Sequence, residues 1–484
     1  MTFNSWEFLI FYPVVALLYF LLPKKLKWPM LLIASYYFYM FYQAELMFLI
    51  VATTVISWFA SNVIERTERQ GLKKLMLALT LIVCLGVLFF YKYFNFLAGS
   101  VLSIVELLGG NPPPVVLNLI LPVGISFYTF QTLSYVIDVY RGDIKTERNF
   151  FLYALFVSFF PQLVAGPIER PDNLIPQLKE SHKWSNENAI KGAKHMMVGF
   201  FKKIVVADLI SVYVNSVYNN VEGASGLGVV IATALFAVQI YCDFSGYTDI
   251  ATGCARIMGI RLMKNFDHPY TSTSIKEFWG RWHISLSSWF KDYLYIPLGG
   301  NRCKKWRHLF NLMVVFAVSG LWHGAAWTYV IWGALHGVYQ IIGNLTWKAR
   351  NRLVEHAGFE IGHPAVVWIR RVITFVLVDF AWLFFRANST RDAFNLIKTL
   401  FTGGYNISET FESMGLTPVA IIMTALSIIT LIIVDKMLTY DDSPDGSDTL
   451  VRDGGFIFFV IVIMLAWLLL LSKDMASTFI YFQF

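Results

Sequence analysis

Apolar runs of about 17 to 25 residues recur from one end of this chain to the other, and a water-soluble fold has no interior large enough for all of them. A soluble chain of 484 residues needs polar side chains over its whole exterior. Here 56% of residues are hydrophobic and 15% charged, against roughly 45–50% apolar and 25% charged in soluble domains. The sequence therefore predicts an all-α polytopic membrane protein with about eleven to thirteen membrane segments, folded as a single domain over residues 1–484 with the lipid bilayer as its solvent. Runs lie near 6–22, 29–42, 46–62, 75–98 and 116–140, followed by a less regular apolar stretch to about 170. After a break at 171–188 come 190–217, 226–258, a broken stretch at 274–300, then 309–346, 366–388, 416–434 and 455–472.

The first run has no small-residue cleavage site and is followed at once by PKKLK, so it reads as a retained helix rather than a signal peptide. The net charge of +7 does not point to nucleic acid, because Lys and Arg sit in short loops between apolar runs. If those basic loops are cytoplasmic, both termini lie outside, including an extracytoplasmic tail at 473–484 that ends in FIYFQF. One stretch breaks the pattern, since Arg386, Arg391 and Lys398 fall on the side expected to be external. Four cysteines without framework or CxxC spacing imply neither disulfides nor a metal site.

Two regions do not read as plain spans. SFFPQLVAGPIERPDNLIPQ carries four prolines, and YTSTSIKEFWGRWHISLSSWFKDYLYIPLGGNR mixes charge, aromatics and helix breakers. Irregular backbone at membrane depth persists only where protein buries it or water fills a cavity. A bundle with re-entrant or interfacial helices around a central funnel is expected.

Polar chemistry concentrates in residues 239–337, the expected catalytic core. SGLWHGAAWTYVIWGALHG places Trp322, His323 and His336 in an almost wholly apolar span. An intramembrane imidazole is either a functional group or a packed ring bonded to a carbonyl. Thirteen residues on one helix separate two rings by about 20 Å, so His323 and His336 can share one centre only if the helix breaks. Gly320 and Gly324 flank His323 and permit close approach, which makes it the stronger candidate. In EFWGRWHISLSSWF, His283 stands on an expected amphipathic helix that is either an interfacial anchor or a funnel wall. QIYCDFSGYTDIATGCARIMGI carries Gln239, Asp243, Ser245 and Asp249, two pairs at i, i+4 spacing. They are either substrate contacts or polar glue between helices, with Arg256 as a candidate partner. No Walker loop, GxSxG or HExxH occurs.

These strings, with PVGISFYTFQTLSYVIDVYRG and QLVAGPIERPDNLIPQ upstream, resemble bacterial membrane-bound O-acyltransferases (MBOAT) of the alginate O-acetyltransferase branch. His323 matches the histidine of the family's WHG motif. His283 matches that of its RRWHxSLS motif, where this chain reads GRWHISLS, with Gly280 in place of a common arginine. The resemblance implies a funnelled bundle in which a cytoplasmic acyl donor, acetyl-CoA with no bound cofactor, meets an outer acceptor near His323. Read from its residues alone, FIYFQF is an aromatic belt that anchors the terminus at the interface; it also resembles the Phe-x-Tyr-x-x-Phe ending of this branch, in which the tyrosine, here Tyr481, is implicated in relaying the acyl group. A separate extracytoplasmic SGNH-type partner is also implied, acting on a polysaccharide acceptor at the bacterial cytoplasmic membrane. Two alternatives stand beside this expectation: a teichoic-acid D-alanyltransferase, and a non-enzymatic transporter of polysaccharide or lipid in which the same residues line a pathway.

Overall fold

The computed structural model describes residues 1–41, 44–113, 115–164, 166–437 and Ile480. The expected last span at 455–472 and Tyr481 lie outside the described residues. Among the described residues every regular element is helical, as a membrane interior demands, since a helix satisfies its backbone hydrogen bonds within one segment. The chain is a multi-pass membrane protein. Four helices, at 44–66, 70–107, 226–257 and 418–435, are long and apolar enough to cross a bilayer on length and composition alone. Ile82 and Leu107 on the second of these are 67% and 86% exposed, a surface that suits lipid tails and would be a liability in water.

The chain divides into two compact units, residues 1–196 with 250–264, and residues 197–249 with 265–484. In the first unit, α1 (Trp6–Leu21), α2 (Lys24–Met40), α3 (Met47–Arg66) and α4 (Gln70–Leu88) follow the sequence expectation. A π-turn at Phe89–Tyr93 carries α4 into α5 (Phe94–Leu107). The run expected at 116–140 becomes helical only at Ile125, where α6 (Ile125–Arg141) begins. Pro122 fixes its own φ and offers no N–H, and Gly124 caps the helix in the left-handed region at φ 76°. Short helices α7 (Phe150–Ser158), α8 (Phe160–Leu163) and α9 (Pro171–Lys179) fill the proline-rich stretch. The last of these lies inside the segment expected to be a break. Pro171 at its first position suits a helix start, because the missing N–H would have had no partner there.

This unit is tied to its returning segment by polar contacts. Tyr12 Oη donates to the Cys254 carbonyl at 2.9 Å, and the Gln177 amide exchanges two hydrogen bonds with the Arg261 main chain at 2.8 and 2.9 Å. Buried Glu169 accepts from Met263 N and, at 2.7 Å, from Asn173.

In the second unit, α10 (Asn186–Phe200), which begins in the first, continues through a π-segment at Phe201–Ala207 into α11 (Asp208–Tyr218). Then comes the 32-residue α12 (Gly226–Ile257). The expected helix around His283 is two, α13 (Ile275–Arg281) and α14 (Ile284–Phe290). The expected single stretch at 309–346 is a hairpin of α15 (Lys305–His323) and α16 (Trp327–His356). α17 (Pro364–Arg386) precedes two helices not foreseen, α18 (Thr390–Thr402) and α19 (Ile407–Ser413), and then α20 (Pro418–Met437). Arg391 and Lys398 belong to amphipathic α18, which buries Ala393 and Leu396. Arg386 is held by Asn215 at 2.7 Å and Asn388 at 2.9 Å. These charges sit on the last residue of α17 and on the packed helix that follows, rather than in a loop of the kind that sets orientation by charge.

Candidate active site

The hairpin places the first histidine. Gly324 leaves the helix in an extended conformation, so α15 ends on His323 and α16 starts three residues beyond Gly324. The two helices touch through glycine: a Cβ on Gly320 would stand 2.2 Å from the Tyr329 carbonyl oxygen, and one on Gly333 would stand 2.3 Å from that of Phe316. Only a residue without a side chain permits this spacing. The helix break that the two-histidine geometry required is therefore present.

His283 is placed by backbone strain. It sits between α13 and α14 with φ 45° and ψ 55°, in the left-handed region that L-residues avoid. Asn265 holds this conformation from the other side. Its carbonyl accepts Ile284 N–H at 2.9 Å, and its Oδ1 accepts Ser285 Oγ at 2.9 Å and Ser285 N–H at 3.3 Å. The imidazole stands edge-on to Phe244 of α12 at 4.6 Å and reaches His323 with a ring-centroid separation of 6.2 Å.

Both rings are buried, His283 at 0% and His323 at 2% exposed. His323 is walled by Trp322 at 5.0 Å, Trp332 at 4.9 Å and Phe385 at 5.5 Å. His336 is near but not in this pair. Trp332 lies between them, 4.9 Å from His323 and 5.1 Å from His336. The Trp279 indole N–H donates to His336 Nδ1 at 3.2 Å, so the neutral ring keeps its proton at Nε2. A pocket of about 310 Å3 adjoins His336's neighbours Trp279 and Phe316. Ile284, Ser319 and the exposed Lys276 and Lys291 also line it. A Cβ at Gly280, the departure from the family's motif, would meet nothing within 4 Å.

The acids of α12 are buried as expected, and their partners are cations that sequence did not single out. Lys203 Nζ lies 2.7 Å from Asp243 Oδ1 and 2.8 Å from Asp208. Lys202 Nζ lies 3.0 Å from both Asp249 and Asp435, with the Tyr241 ring at 5.2 Å. Tyr241 in turn donates to Asp435 at 2.6 Å. Both lysines come from the π-segment, whose wider turn lets consecutive residues pair with two different acids of α12. Gln239 and Ser245 are buried on the same helix, and neither bonds to the acid four residues away. The last described residue closes on this network: Ile480 N–H donates to Asp243 Oδ2 at 2.7 Å. Lys202, Lys203, Asp208, Asp435, Asn265 and Trp332 are the residues that sequence reasoning missed.

Two buried imidazoles in an aromatic enclosure can take a proton from a hydroxyl or thiol and return it to a leaving group, the requirement of acyl transfer. Residues 144–384 match the membrane-bound O-acyltransferase family (MBOAT). The chain is 39% identical to the probable alginate O-acetylase AlgI of Pseudomonas aeruginosa, over 84% of this chain and 76% of that protein. It is 35% identical to the protein of the same name from Pseudomonas putida over the whole of both chains. A peptidoglycan O-acetyltransferase of Helicobacter pylori shares 35% identity over 80% of this chain and 77% of its own. The chain belongs to the membrane-bound O-acyltransferase family and is a membrane-bound acyltransferase.

Proposed function

We propose that this protein moves an acetyl group from cytoplasmic acetyl-CoA across the membrane for O-acetylation of an extracellular or cell-wall polysaccharide. The observation that carries the reading is the convergence of His323 and His283 in an aromatic enclosure, on the segment that matches the acyltransferase family. The names of the relatives, alginate and peptidoglycan acetylases, support a polysaccharide acceptor.

His323 acts as general base on the attacking hydroxyl, with His283 beside it and Trp322 closing the site to water. The pocket edged by Lys276 and Lys291 suits an acyl donor that carries phosphate at one end and a thin acyl arm at the other. In the route we favour the hydroxyl is the phenol of Tyr481. Its oxygen attacks the thioester carbonyl, its proton passes to His323, and coenzyme A leaves as the thiol. Phenols are more acidic than alkyl alcohols, so an acyl-tyrosine is a better donor than a sugar ester and onward transfer runs downhill. A separate SGNH-type protein with a Ser-His-Asp site accepts the acetyl outside and places it on the polymer.

The test is peptide mass spectrometry of the purified protein after incubation with acetyl-CoA, comparing wild type, Tyr481→Phe and His323→Ala. One acetyl group on the FIYFQF peptide, absent from both variants, is the expected result. An unlabelled wild type whose polymer acetylation survives Tyr481→Phe removes the relay and leaves direct transfer. A product carrying D-alanine overturns the choice of acyl group.

A further inference from the structure

Buried indoles pack in a row beside the histidine site: Trp282 on Trp382 at 5.1 Å, Trp382 on Trp332 at 5.6 Å, and Trp332 on Trp279 at 5.7 Å. Their N–H groups are not treated alike. Trp279 donates to His336 Nδ1 and Trp382 to the Tyr270 hydroxyl, each at 3.2 Å. Trp282 and Trp332 are fully buried, and among the described residues neither N–H has an acceptor. Buried tryptophan ordinarily finds a partner, and a donor left without one costs about 1–3 kcal/mol. Position separates the two. The rings around Trp282 are those of Tyr241, Phe266, Tyr270, Phe278 and Trp382, none of them a histidine of the site. Trp332 stands 4.9 Å from His323, nearly perpendicular to it at 87°. It has no room to turn away, being stacked on Trp382 at 19° and closed by Phe385 and His336, each at 5.1 Å. The next residue, Gly333, holds this turn of α16 against α15 at a spacing that no Cβ allows.

We propose that Trp332 is a further catalytic residue, whose indole N–H donates to the carbonyl oxygen of the acyl group and stabilises the negative charge that gathers there. The hydroxyl oxygen bonds to the thioester carbon as its proton passes to His323, and the C=O electron pair moves onto the oxygen held by Trp332. The pair returns as the carbon–sulfur bond breaks, and the leaving thiolate takes the proton from His323. This rests on the thioester donor read above and not on which hydroxyl attacks. A donor fixed in an apolar enclosure needs no reorientation when charge develops, which is what makes such a group effective.

The test replaces single indoles of the full-length detergent-purified protein with benzothienylalanine, which keeps the shape of tryptophan and puts sulfur where the N–H was. The readouts are kcat and KM for acetyl-CoA, the thermal midpoint, and the rate at which cells relying on the variant esterify their polysaccharide. For Trp332→benzothienylalanine we expect kcat to fall about a hundredfold with KM within threefold of wild type, the mark of an interaction made in the transition state. Its midpoint should hold or rise, because an unmet donor has gone. Trp382→benzothienylalanine loses a structural hydrogen bond, so its midpoint should fall while kcat stays within twofold. Wild-type kcat at position 332 overturns the proposal. So does a fallen midpoint there, which assigns the N–H to packing against a neighbouring ring face. A wild type that releases no thiol from acetyl-CoA while its cells acetylate their polymer overturns the donor alone. The cellular rate then decides on Trp332: a hundredfold drop supports it and an unchanged rate overturns it.

Discussion

His283 is the residue at which conformation and chemistry can be separated. Its φ of 45° is forced by the junction of α13 and α14 and by the Asn265 clamp, not by any preference of histidine. Such strain costs of order 1–3 kcal/mol and persists where the surroundings over-determine it. Glycine has no Cβ and adopts this region freely, whereas alanine removes the ring and keeps the strain. His283→Gly should therefore unfold later than His283→Ala, by about 1 kcal/mol, while both lose acyl transfer. The measurement is thermal unfolding of the detergent-purified variants alongside turnover. Equal midpoints would mean that the junction relaxes and stores no strain. The ring itself was legible in GRWHISLS, and so was His323 in LWHGAAW. The left-handed turn was not, because no sequence pattern marks a non-glycine residue at positive φ.

At the scale of elements, the α15–α16 hairpin explains why two histidines thirteen residues apart in an apolar run can lie on either side of one tryptophan. Its geometry depends on Gly320 and Gly333, whose would-be Cβ atoms meet backbone oxygen and not a yielding side chain. Gly337 is the internal comparison, since its Cβ would meet the flexible end of Met313 at 3.0 Å. Gly320→Ala and Gly333→Ala are expected to cost about 1–3 kcal/mol by overpacking and to lower activity by displacing His323. Gly337→Ala should cost less, and Gly280→Ala nothing. A thermal-shift series over the four variants gives that order, and an equal effect at all four positions would exclude helix contact as the cause. The glycines could be read from the sequence as allowing close approach, but their partners could not. Lys202 and Lys203 were harder still. In FFKKIV they stand in the middle of the run at 190–217 with nothing beside them to name a partner, and Asp249, partner of Lys202, is 47 residues away. The π-turn that aims both lysines inward leaves no periodic trace.

For the whole molecule, the chain forms two compact units and passes between them at 196/197, 249/250 and 264/265. The first unit is discontinuous, and its returning segment is not a passive extension. It supplies the Cys254 carbonyl to Tyr12, the Arg261 main chain to Gln177 and the Met263 N–H to the fully buried Glu169. Gly192 packs so closely on Gly253 that a Cβ on either would stand about 2.5 Å from the other's carbonyl oxygen. A fragment ending at Met196 loses all of these at once and exposes a buried carboxylate that has lost its main-chain donor, at a cost of several kcal/mol. Residues 1–196 expressed alone are expected to aggregate or be degraded, as read by fluorescence-detected size exclusion of a tagged fragment. Co-expression with 197–484 should restore a monodisperse peak, because that piece brings 250–264 back as a donor segment. A monodisperse, protease-resistant fragment 1–196 would show that the first unit folds without its return, and that the contacts to 250–264 form only after it is built.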